Sequence, residues 1–249
     1  MKHELASLLL VTTLQTTMPL QQWNETLAKH VTESGEVNYA AIKKEPAGLD
    51  AYILWLGELN IDALPKDNQL ANLLNAYNAF TIKLITEHWP IESIKDIPVK
   101  KRWVDKRWKL AGKLVSLDDI EHTMIRPVFE QPEIHFALVC GADGCPPLPN
   151  KAFIGKTLKE QLHDQIKKTH SSKGWYRYDQ ANNTLYISKI YRWYSKDFTT
   201  NGRTIQEFIA QYDTLVDTAL KTDRPPKVKY LLYDWSINNF TPKPASEAE

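Results

Sequence analysis

The two cysteines of the chain, Cys140 and Cys145, are separated by four residues, and His135 precedes the first of them by the same gap. A cysteine becomes a nucleophile when a cation, an imidazole or a helix N-terminus stabilises its thiolate. Cysteine, histidine and an acidic or amide residue are the parts of a thiol acyl-transfer site, in which the imidazole holds the proton and the third group fixes its tautomer. Cys145 is the expected nucleophile, with Cys140 as the alternate. It precedes Pro146, which forces extended geometry and leaves the thiol standing out of a turn rich in Gly and Pro. His135 is the preferred base and His122 the second choice, with Glu121 as the orienting or acid group. Asn75 and Asn78 are candidate substrate contacts, and Arg126 is placed to hold a substrate carboxylate or to pair with a nearby acid.

The same residues admit plainer readings. A cysteine that ends an apolar run is often inert core packing. A disulfide between Cys140 and Cys145 is a second reading, on a par with free thiols in an exported chain and disfavoured in a reducing compartment. His135 then satisfies a core hydrogen bond, and the two amides bond exposed backbone of the cysteine loop. A redox pair is a further reading, although the gap is wider than in thioredoxin-like Cys-x-x-Cys sites. His122, His135, Cys140 and Cys145 form a zinc-competent set in a spacing unlike fingers or ribbons, and no metal or other cofactor is expected. The chain has no phosphate loop, Gly-x-Gly-x-x-Gly, Gly-x-Ser-x-Gly or His-Glu-x-x-His. The rival to an enzyme is a non-catalytic module that binds a small molecule, peptide or glycan, with structural or redox-active cysteines.

Several elements must position these groups. Trp23, Leu27 and Val31 recur every four residues and predict a helix ending before Ser34-Gly35. A second helix covers Leu49 to Leu59, and a third, largely buried, runs from Asn68 to Trp89 and stops at Pro90. Alternation around Ala111-Gly112-Lys113 predicts a hairpin, after which Ser116 or Leu117 opens a helix that Pro127 ends or bends. Ile134 to Cys140 reads as a buried strand that runs out into a Gly/Asp/Pro turn. Thr157 is expected to cap a helix reaching Lys168. A hairpin over Trp175 to Ile190, a helix over Thr204 to Leu220 and a last strand over Val228 to Trp235 complete the pattern. Helices lead and short hairpins follow, which predicts an α+β domain with a helical N-terminal half on a small, mainly antiparallel sheet.

The chain has 249 residues, 43% hydrophobic and 24% charged, in the range of ordinary globular proteins. A net charge of +1 offers no global field for nucleic acid. Eight Trp and eleven Tyr fit an aromatic-lined cleft. No apolar run approaches the ~20 residues of a membrane span. Lys2 and His3 before Leu8-Leu9-Leu10-Val11 resemble a weak secretory leader, interrupted by Glu4 and Thr12-Thr13. The expected organisation is a leader or N-terminal extension over residues 1–22, one domain over 23–240 and a disordered tail over 241–249. The expected partner is a small-molecule or peptide substrate.

Taken in order, several segments resemble the DUF547 family, a domain of unknown function found in bacteria and plants. They are Gly35-Glu36-Val37-Asn38-Tyr39, Asn75-Ala76-Tyr77-Asn78-Ala79, Ser116 to His122, His135 to Cys140 with Cys145-Pro146-Pro147-Leu148, Trp193 to Phe198, and Tyr233 to Asn238. The resemblance implies that Glu121, His122, His135, Cys140, Cys145, Asp197 and Asp234 belong to one pattern, without giving them roles. Many bacterial members look exported, which implies a periplasmic or secreted location.

Overall fold

The computed structural model describes residues 18–242. The N-terminal apolar patch and the last seven residues of the expected tail lie outside the described residues, while residues 18–22 belong to a helix that continues to residue 30. The central element is the helix Lys66–His88, in which fifteen of 23 residues are buried, so it is apolar on nearly every side. The helices 18–30, Tyr39–Lys44 and Ala47–Glu58 pack around it. Trp23, Tyr52 and Trp55 stack in series at that contact.

The expected hairpin forms from β1 (Trp108–Leu110) and β2 (Lys113–Val115). Ala111 and Gly112 both take positive φ, 50° and 76°, as a two-residue turn matched to strand twist requires. Ser116 then caps the next helix through a reciprocal bond with Asp119. That helix widens to a π-turn over Ile120–Ile125 and recovers α geometry over Arg126–Phe129. Pro127 therefore does not stop the helix, because it falls in the first turn of the recovered segment, where no N–H is needed.

A second sheet orders β3 (Tyr176–Asp179), β4 (Thr184–Ile187) and β5 (Lys227–Tyr230). The pair β3–β4 is antiparallel and β4–β5 parallel. The sequence assigns Thr204 to Leu220 to one helix; the structure breaks it into Ile205–Ala210 and Thr214–Leu220. Asp213 caps the second piece by accepting from the Leu215 and Val216 N–H groups, a local bond that competes with continuation of the first helix. Thr157 precedes the helix Leu158–His170 but makes no side-chain cap bond to it.

The buried side chains form two clusters, one around the long helix and one around Phe136, Tyr191, Phe198 and Phe208. The segment 134–145 runs along their seam, with Ile134, Ala137 and Cys145 in the first cluster and Phe136 in the second. This α+β arrangement agrees with the class read from the sequence. No helix among the described residues is long and apolar enough to cross a membrane.

Candidate functional site

The segment leading to Cys140 is not a strand. It begins as a 3-10 helix, Pro132–Phe136, and continues irregularly. Its backbone is held by an amide: Asn78 Nδ2 donates to Ala137 O at 2.9 Å and the Val139 N–H donates to Asn78 Oδ1 at 3.0 Å. A side chain thus supplies the partners that a neighbouring strand would supply. Asn75 does the same at Phe153, donating to its carbonyl at 2.8 Å and accepting from its N–H at 2.9 Å. Both amides are buried and hold backbone in place, so the substrate contacts expected of them give way to a positioning role.

Beyond Cys140 the chain reverses at Gly141, whose φ of 84° favours a residue without Cβ. An added Cβ would stand 2.3 Å from Ile85 Cδ1. The Asp143 N–H then donates to Ser236 O and the Gly144 N–H to Asp234 O. This pairing lays Tyr233-Asp234-Trp235 directly beside the sulfurs. Gly144 allows the approach, since a Cβ there would lie 2.8 Å from Asp234 O.

Cys140 and Cys145 are joined as a disulfide. Among the described residues there is no free cysteine, so the thiolate expected at Cys145 is absent in this state. Exposure is also reversed from the sequence reading. Cys145 is 6% exposed, whereas Cys140 is only partly buried. Pro146 does extend the chain, but the turn it extends is covered by residues 234–238. The Cys140 N–H donates to Cys145 Sγ at 3.1 Å. The Tyr233 hydroxyl lies 3.1 Å from Cys145 Sγ and 3.4 Å from Cys140 Sγ. A disulfide carries no hydrogen, so the phenol is the donor in both contacts.

His135 is buried, and its Nε2 lies 2.7 Å from Asp197 Oδ2. Its ring stacks on Tyr194 with centroids 4.0 Å apart. Asp197 also receives two bonds from Arg126, Nε to Oδ2 at 2.7 Å and Nη2 to Oδ1 at 2.9 Å. Burial pushes the Asp197 carboxyl up, but the His135 and Arg126 hydrogen bonds outweigh it and hold the group well below the usual carboxylate range. Asp197, not Glu121, is therefore the residue that orients His135. Arg126 takes the second of its expected roles, an ion pair, and is not open to a substrate carboxylate. Its Nη1 donates to His122 Nδ1 at 2.7 Å, which places the His122 proton on Nε2.

Glu121 is buried, and its Oε1 has no hydrogen-bond partner. The nearest imidazole nitrogen, His122 Nε2, is 4.0 Å away, too long for a hydrogen bond. The π-turn is the local reason for this placement. Its wider bond, Arg126 N–H to Glu121 O, sets Glu121 inward and leaves His122 exposed. Burial is the first cause and the Glu121 charge the second in raising Tyr77, Tyr194 and Tyr233 above the usual phenol range. All three phenols stay neutral near neutral pH.

These groups open on one cleft of about 220 Å³, lined by both cysteines, Glu121, His122 and His135. Its walls include Trp103, Trp193, Tyr194, Tyr233 and Trp235. A broader cavity of about 520 Å³ lies on the far side of Cys145, bounded by Glu33, Glu36, Asp143 and Lys168. The structure thus brings all five expected catalytic residues to one cleft, without a sulfur–imidazole hydrogen bond among the described residues. Among those residues no group of three or more His, Cys, Asp or Glu is placed to hold a metal ion, and the cysteine sulfurs of the zinc-competent set are bonded to each other. Asp197, Tyr194 and Tyr233 are the functional residues that spacing arguments missed. They lie 59 to 93 residues from the groups they meet, and only their place in the Trp193 to Phe198 and Tyr233 to Asn238 segments pointed to them.

A family model described as a protein of unknown function, DUF547, matches residues 61–168. That stretch contains every site residue read from the sequence and ends before Tyr194, Asp197 and Tyr233. No curated protein and no solved structure matches the chain.

Proposed function

We propose, for a chain whose residues 61–168 match the DUF547 family model and which takes no activity from that family's description, that it catalyses thiol–disulfide exchange at Cys140–Cys145. The observation that carries the reading is the asymmetry of the two sulfurs: Cys140 is the more open to the cleft, and Cys145 is buried under two donors. A substrate thiolate attacks Cys140 Sγ, the S–S bond breaks, and its electron pair leaves on Cys145 Sγ. The Cys140 N–H and the Tyr233 O–H stabilise that thiolate, and a better-stabilised thiolate leaves faster. A second substrate thiolate then attacks the mixed disulfide, releasing oxidised substrate and leaving Cys140 reduced, with one proton taken up by each cysteine. Closing so short a loop contributes only roughly 2 kcal/mol by the chain-entropy estimate, so reduction leaves the fold intact.

Replacing Tyr233 by Phe removes one donor to a developing thiolate and should slow exchange about ten- to a hundredfold. The measurement is the rate of thiol release from oxidised protein in millimolar dithiothreitol, with circular dichroism to monitor the fold. A bridge that reduces only when the protein unfolds would overturn the reading.

A second reading is favoured by one observation: His135, held by Asp197 from behind, lines the same cleft as the cysteines. Once reduced, Cys145 or Cys140 is a thiol lining the same cleft as an oriented imidazole, the composition of a cysteine acyl-transfer site acting on an amide, peptide or thioester. A stable acyl adduct formed by the reduced protein from a small thioester, and lost on His135→Gln, supports this reading over simple exchange.

A further inference from the structure

We infer that the cleft beside the disulfide receives an organic ammonium group, with Glu121 as its counter-ion. The inference deepens the exchange reading by naming the class of its substrate, a cationic aminothiol or its disulfide, and it rests on that reading for placing the sulfur end of the substrate at Cys140.

Glu121 is 6% exposed, lines the cleft and leaves Oε1 without a partner. The Tyr194 hydroxyl is a hydrogen-bond partner of this carboxyl, but it is neutral, and the open Oε1 of a buried carboxyl still favours a positive partner. The protein's own cations do not supply one. Among the described residues no lysine or arginine lines the cleft. Arg126 is near enough to feel the Glu121 charge, but its Nε and Nη2 bond Asp197 and its Nη1 bonds His122. His122 faces Glu121 from 4.0 Å, beyond hydrogen-bond distance, and its other nitrogen is taken by a hydrogen bond from Arg126. Asp118, a second carboxyl on the wall, adds negative potential.

The remaining surface is aromatic. Trp193, Tyr233 and Trp235 form a mutually packed set with ring centroids 4.5 to 5.7 Å apart. Their electron-rich faces attract an ammonium group and not its neutral isostere. Trp235 already attracts one cation from outside the cleft, with Lys95 Nζ 4.2 Å from its ring centre. A carboxylate at the base and aromatic faces around it make a receptor for a positive end group, whereas an anionic thiol would meet two carboxyls.

The test is a rate comparison on fully reduced protein oxidised by cystamine, bis(2-hydroxyethyl) disulfide and 3,3′-dithiodipropionate. Each rate is divided by that of the same disulfide with a free small thiol, which removes intrinsic reactivity. The expected result is a preference for cystamine over the hydroxyethyl disulfide of about tenfold, with the dianion slowest. Glu121→Gln should collapse the order, and Trp193→Leu, at an exposed wall position, should weaken it with the fold preserved. Equal normalised rates in the parent overturn the ammonium inference and leave exchange standing. If none of the three reacts, the exchange reading fails, and tryptophan-fluorescence titration with choline against 3,3-dimethylbutan-1-ol decides the cation site alone. Tighter binding of choline supports it, and equal or absent binding overturns it.

Discussion

Asp197→Asn should lower stability by about 2–4 kcal/mol at pH 7, because one carboxylate answers both Arg126 and His135. An asparagine amide keeps one acceptor oxygen and turns an NH₂ toward donors, leaving a guanidinium in a partly buried site without its charge partner. The pH dependence gives the prediction a second readout. The folded-state pKa of Asp197 is depressed, so its stabilisation is fully present above the unfolded carboxyl value of ~3.9 and is lost as pH falls toward the lower folded value. The difference between parent and variant should therefore be constant from pH 7 to about 5 and shrink only below about pH 4. Denaturant titrations at pH 7 and at pH 3.5 measure it. A variant as stable as the parent at pH 7 would show that the His135–Asp197–Arg126 arrangement is not held as described.

Asn78→Ala should cost about 2–5 kcal/mol, because two buried backbone groups, the Ala137 carbonyl and the Val139 N–H, lose their partners together. The loss has a functional side. These bonds hold the chain immediately before Cys140, so the variant should also lose the exposure difference between the sulfurs and exchange with altered regiochemistry. Asn78→Asp separates the two bonds, since it keeps the acceptor for Val139 and sets a carboxylate against the Ala137 carbonyl. It should be destabilised as well, and more at pH 7 than at pH 4. Urea unfolding of both variants checks the pair, and an Asn78→Ala midpoint equal to the parent's would contradict the positioning role.

Much of this was legible in the sequence. Helix periodicity located Lys66–His88 and its stop at Pro90, and alternation located both hairpins. The cysteines, histidines and glutamate singled out in the sequence line one cleft. Three of the readings that the structure corrects bear on the site. Ile134 to Cys140 has the apolar run of a strand, but an amide 61 residues from Val139 takes over its hydrogen bonding, which periodicity cannot register. Cys145 looked exposed from Pro146 alone, and its cover comes from the Tyr233 to Asn238 segment almost a hundred residues on. Glu121 looked like the partner of His135 because it is near in sequence and acidic, whereas the π-turn aims it into the cleft and Asp197 reaches the imidazole from another helix. Each miss is a long-range contact made by a polar side chain, the kind of information that local pattern does not hold.

Exchange requires that the bridge be attackable at Cys140 in the folded protein. The most direct measurement is to mix oxidised native protein with a labelled monothiol, quench in acid within seconds and map the mixed disulfide by peptide mass spectrometry. The label is predicted on Cys140, with Cys145 recovered as the free thiol. A label on Cys145, or no adduct until the protein unfolds, would contradict it.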